Sequence, residues 1–578
     1  MSQTHSTVPS VYGPGTHTDT EFVSVPQDTH RIFNLLASQT PGFTQDAKVL
    51  SKVNFEGEDF PVIPGPIKAV SVAAALHAMS GVVADEILSL RGAASDDRKI
   101  TVNTTHAGFW FASAISTAFV NGKNAADILQ EKKINDIVPD FQKGWIDTPL
   151  KYSSTALYPT KNPETWYSFH GSLDAIPLMK SVGINPDHGC KNREEAWNHI
   201  ASHTKQWSPE ELEFHNVYHG FCGSICFTPE RWNNSEMGKS LARHPFVNVK
   251  SQPHAIPTPP IAFPPLNPND KRPLAGVKVV EMTRIIAGPQ IGAVLSSYGA
   301  DVIRINASHL VDINCMQLTL NAGKRCIELD LRKESDRTYL HNLLADADVF
   351  VQGFRQSKLE KYGIGLKELL AMAGARGKGI VYVSENCYGP DGYYAERGGW
   401  QQIADAAAGS SYVMGRALNL ADNECVLPSL PVSDMTTGIV GALGAMMGLR
   451  DRATKGGSYY VHSSLTAVNT YALTPEVGLY PKHVVEECQQ RFQWREMRSS
   501  DHVFDLLFTV WDGWNRVFGE ELKEHSGWYQ SFENSPYGKL SILKPVVKFP
   551  QGDEAQPEWR TPSVPYCYSP KEQVAWKN

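Results

Sequence analysis

The sequence predicts an α/β protein whose second half is a parallel sheet covered on both faces. Three observations carry that prediction. Between residues 276 and 389 short apolar runs alternate with stretches of helical period. The run "SQPHAIPTPPIAFPPLNPNDKRP", residues 251–273, cuts the chain in two, and the first part holds an echo of the second. Alternating strands and helices imply a parallel sheet, because a parallel neighbour is reached only by crossing a face of the sheet.

Taken in order, "GVKVVEMT" reads as a buried strand, "AGPQIGAVLSSYGA" as a turn and helix, "DVIRIN" as a second strand and "KRCIELDL" as a third. "ESDRTYLHNLLADA" is an amphipathic helix, "DVFVQGF" a strand and "KGIVYVSENCYG" another. The strands are apolar almost throughout, as expected where both faces are buried. Over residues 251–273 the proline density forbids helix and sheet interiors and leaves an extended linker.

The echo is a gapless overlay of "VAAALHAM", residues 72–79, on "IVGALGAM", residues 439–446. Each leads into a similar strand, "RKITVNTTHAG" and "GGSYYVHSSLTA", so the two parts read as diverged copies. On this overlay Asp434 of the second copy falls on Ile67 of the first, which cannot cap, ionise or attack.

At 578 residues the chain exceeds one ordinary core, and 42% hydrophobic with 20% charged residues is a globular composition. A net charge of -7 leaves no electrostatic footprint for nucleic acid or an anionic membrane, and neither is expected as a partner. Nine scattered cysteines, an odd number, read as reduced thiols; Cys222 and Cys226 in "FCGSIC" lack the CxxC spacing. His215 and His219 in "FHNVYHG" share a helix face but lack the glutamate of HExxH, so no metal site is expected. The opening "MSQTHSTVPSVYGPGTHTDTEF" has no leader pattern and "AWKN" is not a peroxisomal tripeptide, which makes the cytoplasm the expectation. The strand, turn and helix from residue 276 have the order of a mononucleotide-binding unit, yet the turn lacks GxGxxG, which argues against NAD. Its helix start, close to Arg284, can still hold an anion.

"PVSDMTTGIVGALGAMMGLRDR", residues 431–452, sets Asp434 at the mouth of a run almost emptied of charge. Two roles suit it: a helix cap, with Pro431 marking the entry, or a carboxylate nucleophile.

"PLAGVKVVEMTRIIAGPQIGAVLSSYGADVIRI", "NAGKRCIELDL", "DADVFVQGFRQSKLEKYGIGLKEL", "IVYVSENCYGPDGYYAERGGW" and the Asp434 block resemble, in order and spacing, the class III CoA-transferases. That family includes formyl-CoA transferase and the carnitine CoA-transferases. "LYPTKNPETWYSFHG" and "GSICFTPERWNNSEMGKSLARHPFV" are similar, more loosely, to its small domain. The resemblance implies a doubly wound α/β large domain at 274–475, preceded by a degenerate copy of it at 1–150, a small α/β domain at 151–250 and the linker at 251–273, with 476–578 returning to the large domain. Typical members place the small domain after the first large-domain segment and form interlocked dimers. The implied assembly is therefore a monomer that pairs its two halves internally, or a homodimer.

The resemblance also implies a chemistry. Asp434 matches the family's nucleophile, which attacks an acyl-CoA thioester to form an aspartyl anhydride, then an aspartyl-CoA thioester, and so passes CoA to an acceptor acid. A helix N-terminus favours a carboxylate by about 0.3 to 1 kcal/mol, so capping and attack are compatible. CoA contacts carry over to Ile285, Ile286, Ala287, Lys324, Gly353, Phe354 and Lys361, the last standing where formyl-CoA transferase has arginine. Two departures follow: Trp400, Gln401 and Gln402 supply no histidine where the family's racemases use one, and the C-terminal region has no glycine-rich covering loop. The implied function is a CoA-transferase with CoA as co-substrate, no resident cofactor, and an acyl-CoA and a small carboxylic acid as partners. A CoA-ester lyase, hydrolase or dehydratase, a racemase, and a non-catalytic acyl-CoA-binding protein stay open as alternatives.

Overall fold

The computed structural model describes residues 5–576. Residues 1–4 and 577–578, on which the two targeting expectations partly rest, lie outside them. The first half contains α1 (Val25–Gln39), β1 (Val53–Glu56), α2 (Ala69–Leu90), β2 (Ile100–Asn103), α3 (Thr104–Phe111), β3 (Ala118–Val120) and β4 (Lys123–Asn124). An antiparallel sheet follows, of β5 (Thr155–Pro159), β6 (Trp166–His170) and β7 (Gly223–Ile225), and then β8 (Asn248–Ser251).

The second half runs β9 (Lys278–Met282), α4 (Ala287–Ser297), β10 (Asp301–Asn306), β11 (Lys324–Glu328), α5 (Glu334–Leu344), β12 (Val349–Gln352), β13 (Val381–Asn386), α6 (Val432–Lys455), β14 (Tyr459–Ser464) and α7 (Leu465–Ala472). Its sheet has seven strands in the order β8-β14-β13-β12-β9-β10-β11, six of them parallel and β8 antiparallel at one edge. From β9 the chain winds outward through β10 and β11, then returns to β12 on the other side of β9. At that reversal the crossing loops leave in opposite directions and open a crevice at the strand C-termini, which is where such sheets bind ligands. Val279 and Val280, neighbours on opposite faces of β9, are both fully buried, which explains the unbroken apolar runs.

α6 is poor in charge because protein surrounds it: α4 packs on one side and α2 on another. A Cβ on Gly438 would stand 2.5 Å from Cβ of Gln290 in α4, so this crossing requires glycine. α2 and α6 are each long and apolar enough to cross a membrane, yet 94% and 89% of their most apolar windows are buried within the protein.

The two overlaid segments share a local architecture, α2–β2–α3 in one and α6–β14–α7 in the other. β2 has a parallel neighbour, β1, and β14 has a parallel neighbour, β13. Each also receives an antiparallel guest from the other half of the chain: β8 pairs with β14, and the late strand β17 (Val547–Lys548) pairs with β2. The first-half sheet stops at three strands. At the position matching the start of α6, buried Lys68 is bonded to Asp19 and, at 2.6 Å, to Asp28.

The expectation for residues 476–578, a return to the large domain, needs correction. They go chiefly to the first half. The helix Val503–Val517 stacks Trp514 on Phe109 with centroids 5.0 Å apart, and Trp514 Nε1 donates to the Val62 carbonyl. The hairpin Tyr529–Ser535 and Gly538–Leu543 extends β3 and β4 into a four-stranded sheet. The large sheet is reached at the end, where the Ser569 N–H donates to the Cys326 carbonyl at 2.8 Å. The reason is the open edge of β2, which only β17 covers.

Candidate active site

A cleft of ≈ 420 Å³ lies at the reversal point, over the C-terminal ends of β9, β12 and β13. Ile285, Ile286 and Ala287 line it from the loop after β9, Gly353 and Phe354 from the loop after β12, and Asp434 from the start of α6. An adjoining basin of ≈ 230 Å³ shares Arg284 and Phe354 and carries Lys361, Lys358 and Arg332. Backbone geometry is specialised here. A Cβ on Gly353 would stand 2.8 Å from Oε2 of Glu385, so glycine makes room for that carboxyl. Ile285 has φ +68°, a left-handed conformation that costs a β-branched residue about 1 to 3 kcal/mol.

Lys324 is a correction. It lines neither cavity and is completely buried, its Nζ 2.7 Å from Glu281 Oε2 and 2.6 Å from the Pro289 carbonyl. Burial pulls its pKa down to about 8. Glu281 also pairs with Arg304 at 3.2 Å. The cause is strand position: β11 is the far edge of the sheet, two strands from the reversal, and its first side chain turns in beneath α4.

Asp434 is not a cap, which corrects the first of the two roles read for it. α6 begins at Val432 with Pro431 as its N-cap residue, so Asp434 is the third helical residue, and no side chain caps the helix. An acid at that position ordinarily reaches back to the N-cap N–H, and proline has none. Its partly buried carboxyl is held well above the usual carboxylate range by burial and by the charges of Glu385 and Asp405. Burial pushes Glu385 up to about 8 and Asp405 to about 7, although Asn469 at 2.9 Å and Ser433 at 3.2 Å bond Asp405. Three carboxyl groups thus compete for little negative charge, and whichever ionises is poorly solvated. Cys387 and Cys222 border the same cleft, but burial raises both thiols above their ordinary value, so neither is a ready thiolate.

Behind Asp434 lies a smaller cavity of ≈ 50 Å³, sharing Ile285, Ile286, Trp400 and Asp434 with the cleft. Its other walls come from every part of the chain: Trp145 from the first half, His170 from β6, Phe504 from the C-terminal helix. Trp400 stacks on His170 with centroids 5.1 Å apart. The His170 Nδ1 accepts the Ser172 N–H at 3.0 Å and its Nε2 lies 3.2 Å from Gln402 Oε1, while burial holds its pKa near 3. Both ring nitrogens are committed. Gln401 donates to the Leu430 carbonyl at 2.7 Å and so braces the turn into α6.

Of the residues singled out from sequence, Asp434, Ile285, Ile286, Ala287, Gly353 and Phe354 meet at the cleft and Lys361 at its basic annex. Glu385, Asp405 and His170 were not legible: each sits in an ordinary-looking strand or helix and joins the site only through tertiary packing. His215 and His219 do lie side by side, centroids 4.5 Å apart, with His215 3.0 Å from Ser181 Oγ. Among the described residues no group of three or more His, Cys, Asp or Glu converges as a metal site.

The chain is similar to known proteins over most of its length. Residues 274–519 match the family model described as CoA-transferase family III. An acyl-CoA transferase of Gibberella moniliformis (strain M3125 / FGSC 7600) is 44% identical over 570 residues, 98% of each chain. The acetyl-coenzyme A transferase nodX of Hypoxylon pulicicidum is 31% identical over 475 residues, 80% of this chain and 79% of that one. A solved CAIB/BAIF family protein from Brucella suis is 28% identical, covering 35% of this chain and 55% of its own, with a TM-score of 0.30. On the family match and on identity that runs the whole length of a relative, this chain belongs to the CoA-transferase family III.

Proposed function

We propose that the protein moves coenzyme A from an acyl-CoA donor to a carboxylic acid acceptor, with Asp434 as the covalent carrier. The observation that carries this reading is the position of Asp434: an uncapped carboxyl, with no cation to lower its pKa, where a cleft with a basic annex meets a closed cavity. The acyl-CoA and acetyl-coenzyme A transferases among its relatives support the reaction class. In this scheme an Asp434 oxygen attacks the thioester carbonyl, the C–S bond breaks, and an anhydride and CoA thiolate result. The thiolate attacks the Asp434 carbonyl, releasing the donor acid and leaving an aspartyl-CoA thioester. The acceptor carboxylate then displaces CoA to form a second anhydride, and CoA attacks the acceptor carbonyl, regenerating Asp434. The cleft holds the pantetheine arm between Gly353 and the Ile285–Ala287 loop. Arg284, Lys358 and Lys361 meet the phosphates.

Poor solvation serves the chemistry, since an ionised Asp434 is stripped of water and the anhydrides are sheltered from hydrolysis. Glu385, raised to about 8, adds little charge beside Asp434 near neutral pH. Racemisation needs an acid and a base astride an α-carbon; carboxyls line the cleft, but Trp400 with a doubly bonded His170 leaves no imidazole to partner them. Because both halves wall the inner cavity, the functional unit in this reading is one chain that pairs internally, or a dimer of such chains. Nine unbridged cysteines suit a reducing compartment, and we place the reaction in the cytoplasm.

The test is to incubate the protein with acyl-CoAs and free acids and follow new CoA esters by mass, trapping the intermediate with hydroxylamine. New esters and a label on the peptide containing Asp434 are expected. Hydrolysis alone, or a label elsewhere, overturns the assignment.

A further inference from the structure

The geometry points to a substrate class: the cavity behind Asp434 takes a short, uncharged acyl group bearing a hydroxyl or oxo oxygen, which the Nε2–H of His502 holds. This rests on the reading of Asp434 as the carrier, because that reading makes the cavity the place where the acyl group lies.

Charge is the first argument. No lysine or arginine lines the cavity, and its two histidines are held neutral by burial, each near pKa 3. A dicarboxylic acyl group would set its second carboxylate there, buried beside Asp434 with no lysine or arginine in the lining to meet it. Size is the second: ≈ 50 Å³ between Trp145, Met316 and Phe504 admits only a few heavy atoms beyond the reacting carbon.

His502 supplies the third argument and the polarity. It is 1% exposed, and its Nδ1 accepts the Phe504 N–H at 3.2 Å, which places the proton of the neutral ring on Nε2. That Nε2 has no hydrogen-bond partner among the described residues although it borders the cavity. A buried donor left unpaired is costly, and an oxygen acceptor on the bound group satisfies it. His170 does not compete for this role, since Gln402 already takes its Nε2.

The test uses the full chain saturated with CoA. Calorimetric binding is measured on that complex, and transfer rates on the free protein with acetyl-CoA as donor, each with lactate, propionate and succinate, in the wild type and in His502→Asn. Asparagine keeps a cap acceptor for the Phe504 N–H and removes the Nε2 donor. Lactate should bind and be activated at least tenfold better than propionate, with succinate weakest. In His502→Asn the lactate preference should vanish while the melting temperature stays within a few degrees of wild type. A preference for succinate, or a lactate preference that survives His502→Asn, overturns the inference. Selective lactate binding without transfer of any acid sustains it and instead overturns the carrier role of Asp434.

Discussion

Pro431 stands at the N-cap of α6 three residues ahead of Asp434, and having no N–H it gives the Asp434 carboxylate nothing to reach back to. The helix start is thereby separated from the usual use of an acid in the first turn. The carboxyl lines the cleft, where the positive end of the helix favours its ionised form.

Asp434→Asn separates structure from chemistry. With no capping bond to lose and a buried carboxyl removed, the variant should melt at or above the wild-type temperature. Its amide cannot form the anhydride, so transfer should fall by several orders of magnitude. Calorimetry and the ester assay check the two halves; a variant that retains near-full transfer rules out the nucleophile.

The carboxyl cluster predicts a pH signature. Glu385 is raised to about 8 and Asp405 to about 7 in the folded protein, above their unfolded values. The folded state therefore binds more protons than the unfolded one between pH 4 and 8. The stability these groups contribute is complete below pH 4 and is lost as pH rises through their folded values. Glu385→Gln should flatten the decline in melting temperature between pH 4 and 8. Parallel curves for variant and wild type would show that Glu385 does not titrate as described.

The two lysines drawn from the family pattern should part company. Lys324→Met leaves Glu281 and Arg304 buried without their third partner and should cost about 3 to 5 kcal/mol of stability. Lys361→Ala removes an exposed cation and should leave stability alone while raising the KM for acyl-CoA about tenfold, the loss of about 1.4 kcal/mol of binding. Urea unfolding and steady-state kinetics on both variants decide this.

Ile285 predicts an inverted ranking. At φ +68° alanine keeps the strain and loses the side chain, whereas glycine relieves the strain. Ile285→Gly should be more stable than Ile285→Ala by about 1 kcal/mol, against the usual order. Both should raise the KM for acyl-CoA, since the side chain walls the cleft and the cavity.

The sequence by itself determined the α/β class and the strands from "GVKVVEMT" to "KGIVYVSENCYG", and it singled out Asp434. Those are local properties: apolar period and a quoted block around Asp434 are both written in contiguous residues. Only the tertiary structure decided that Lys324 is a buried counterion, because nothing local says that β11 lies at the far edge of the sheet. It also decided that β8 and β17 are exchanged between the halves, since an open strand edge is completed by whichever segment folds across it. The same holds for Glu385, Asp405, His170 and His502. Each is an unremarkable residue of its own element, and each acquires its ionisation or its unpaired donor from desolvation by other elements of the packed chain. Burial is a property of the packed chain, and a linear sequence records the groups that will be buried without recording what will surround them.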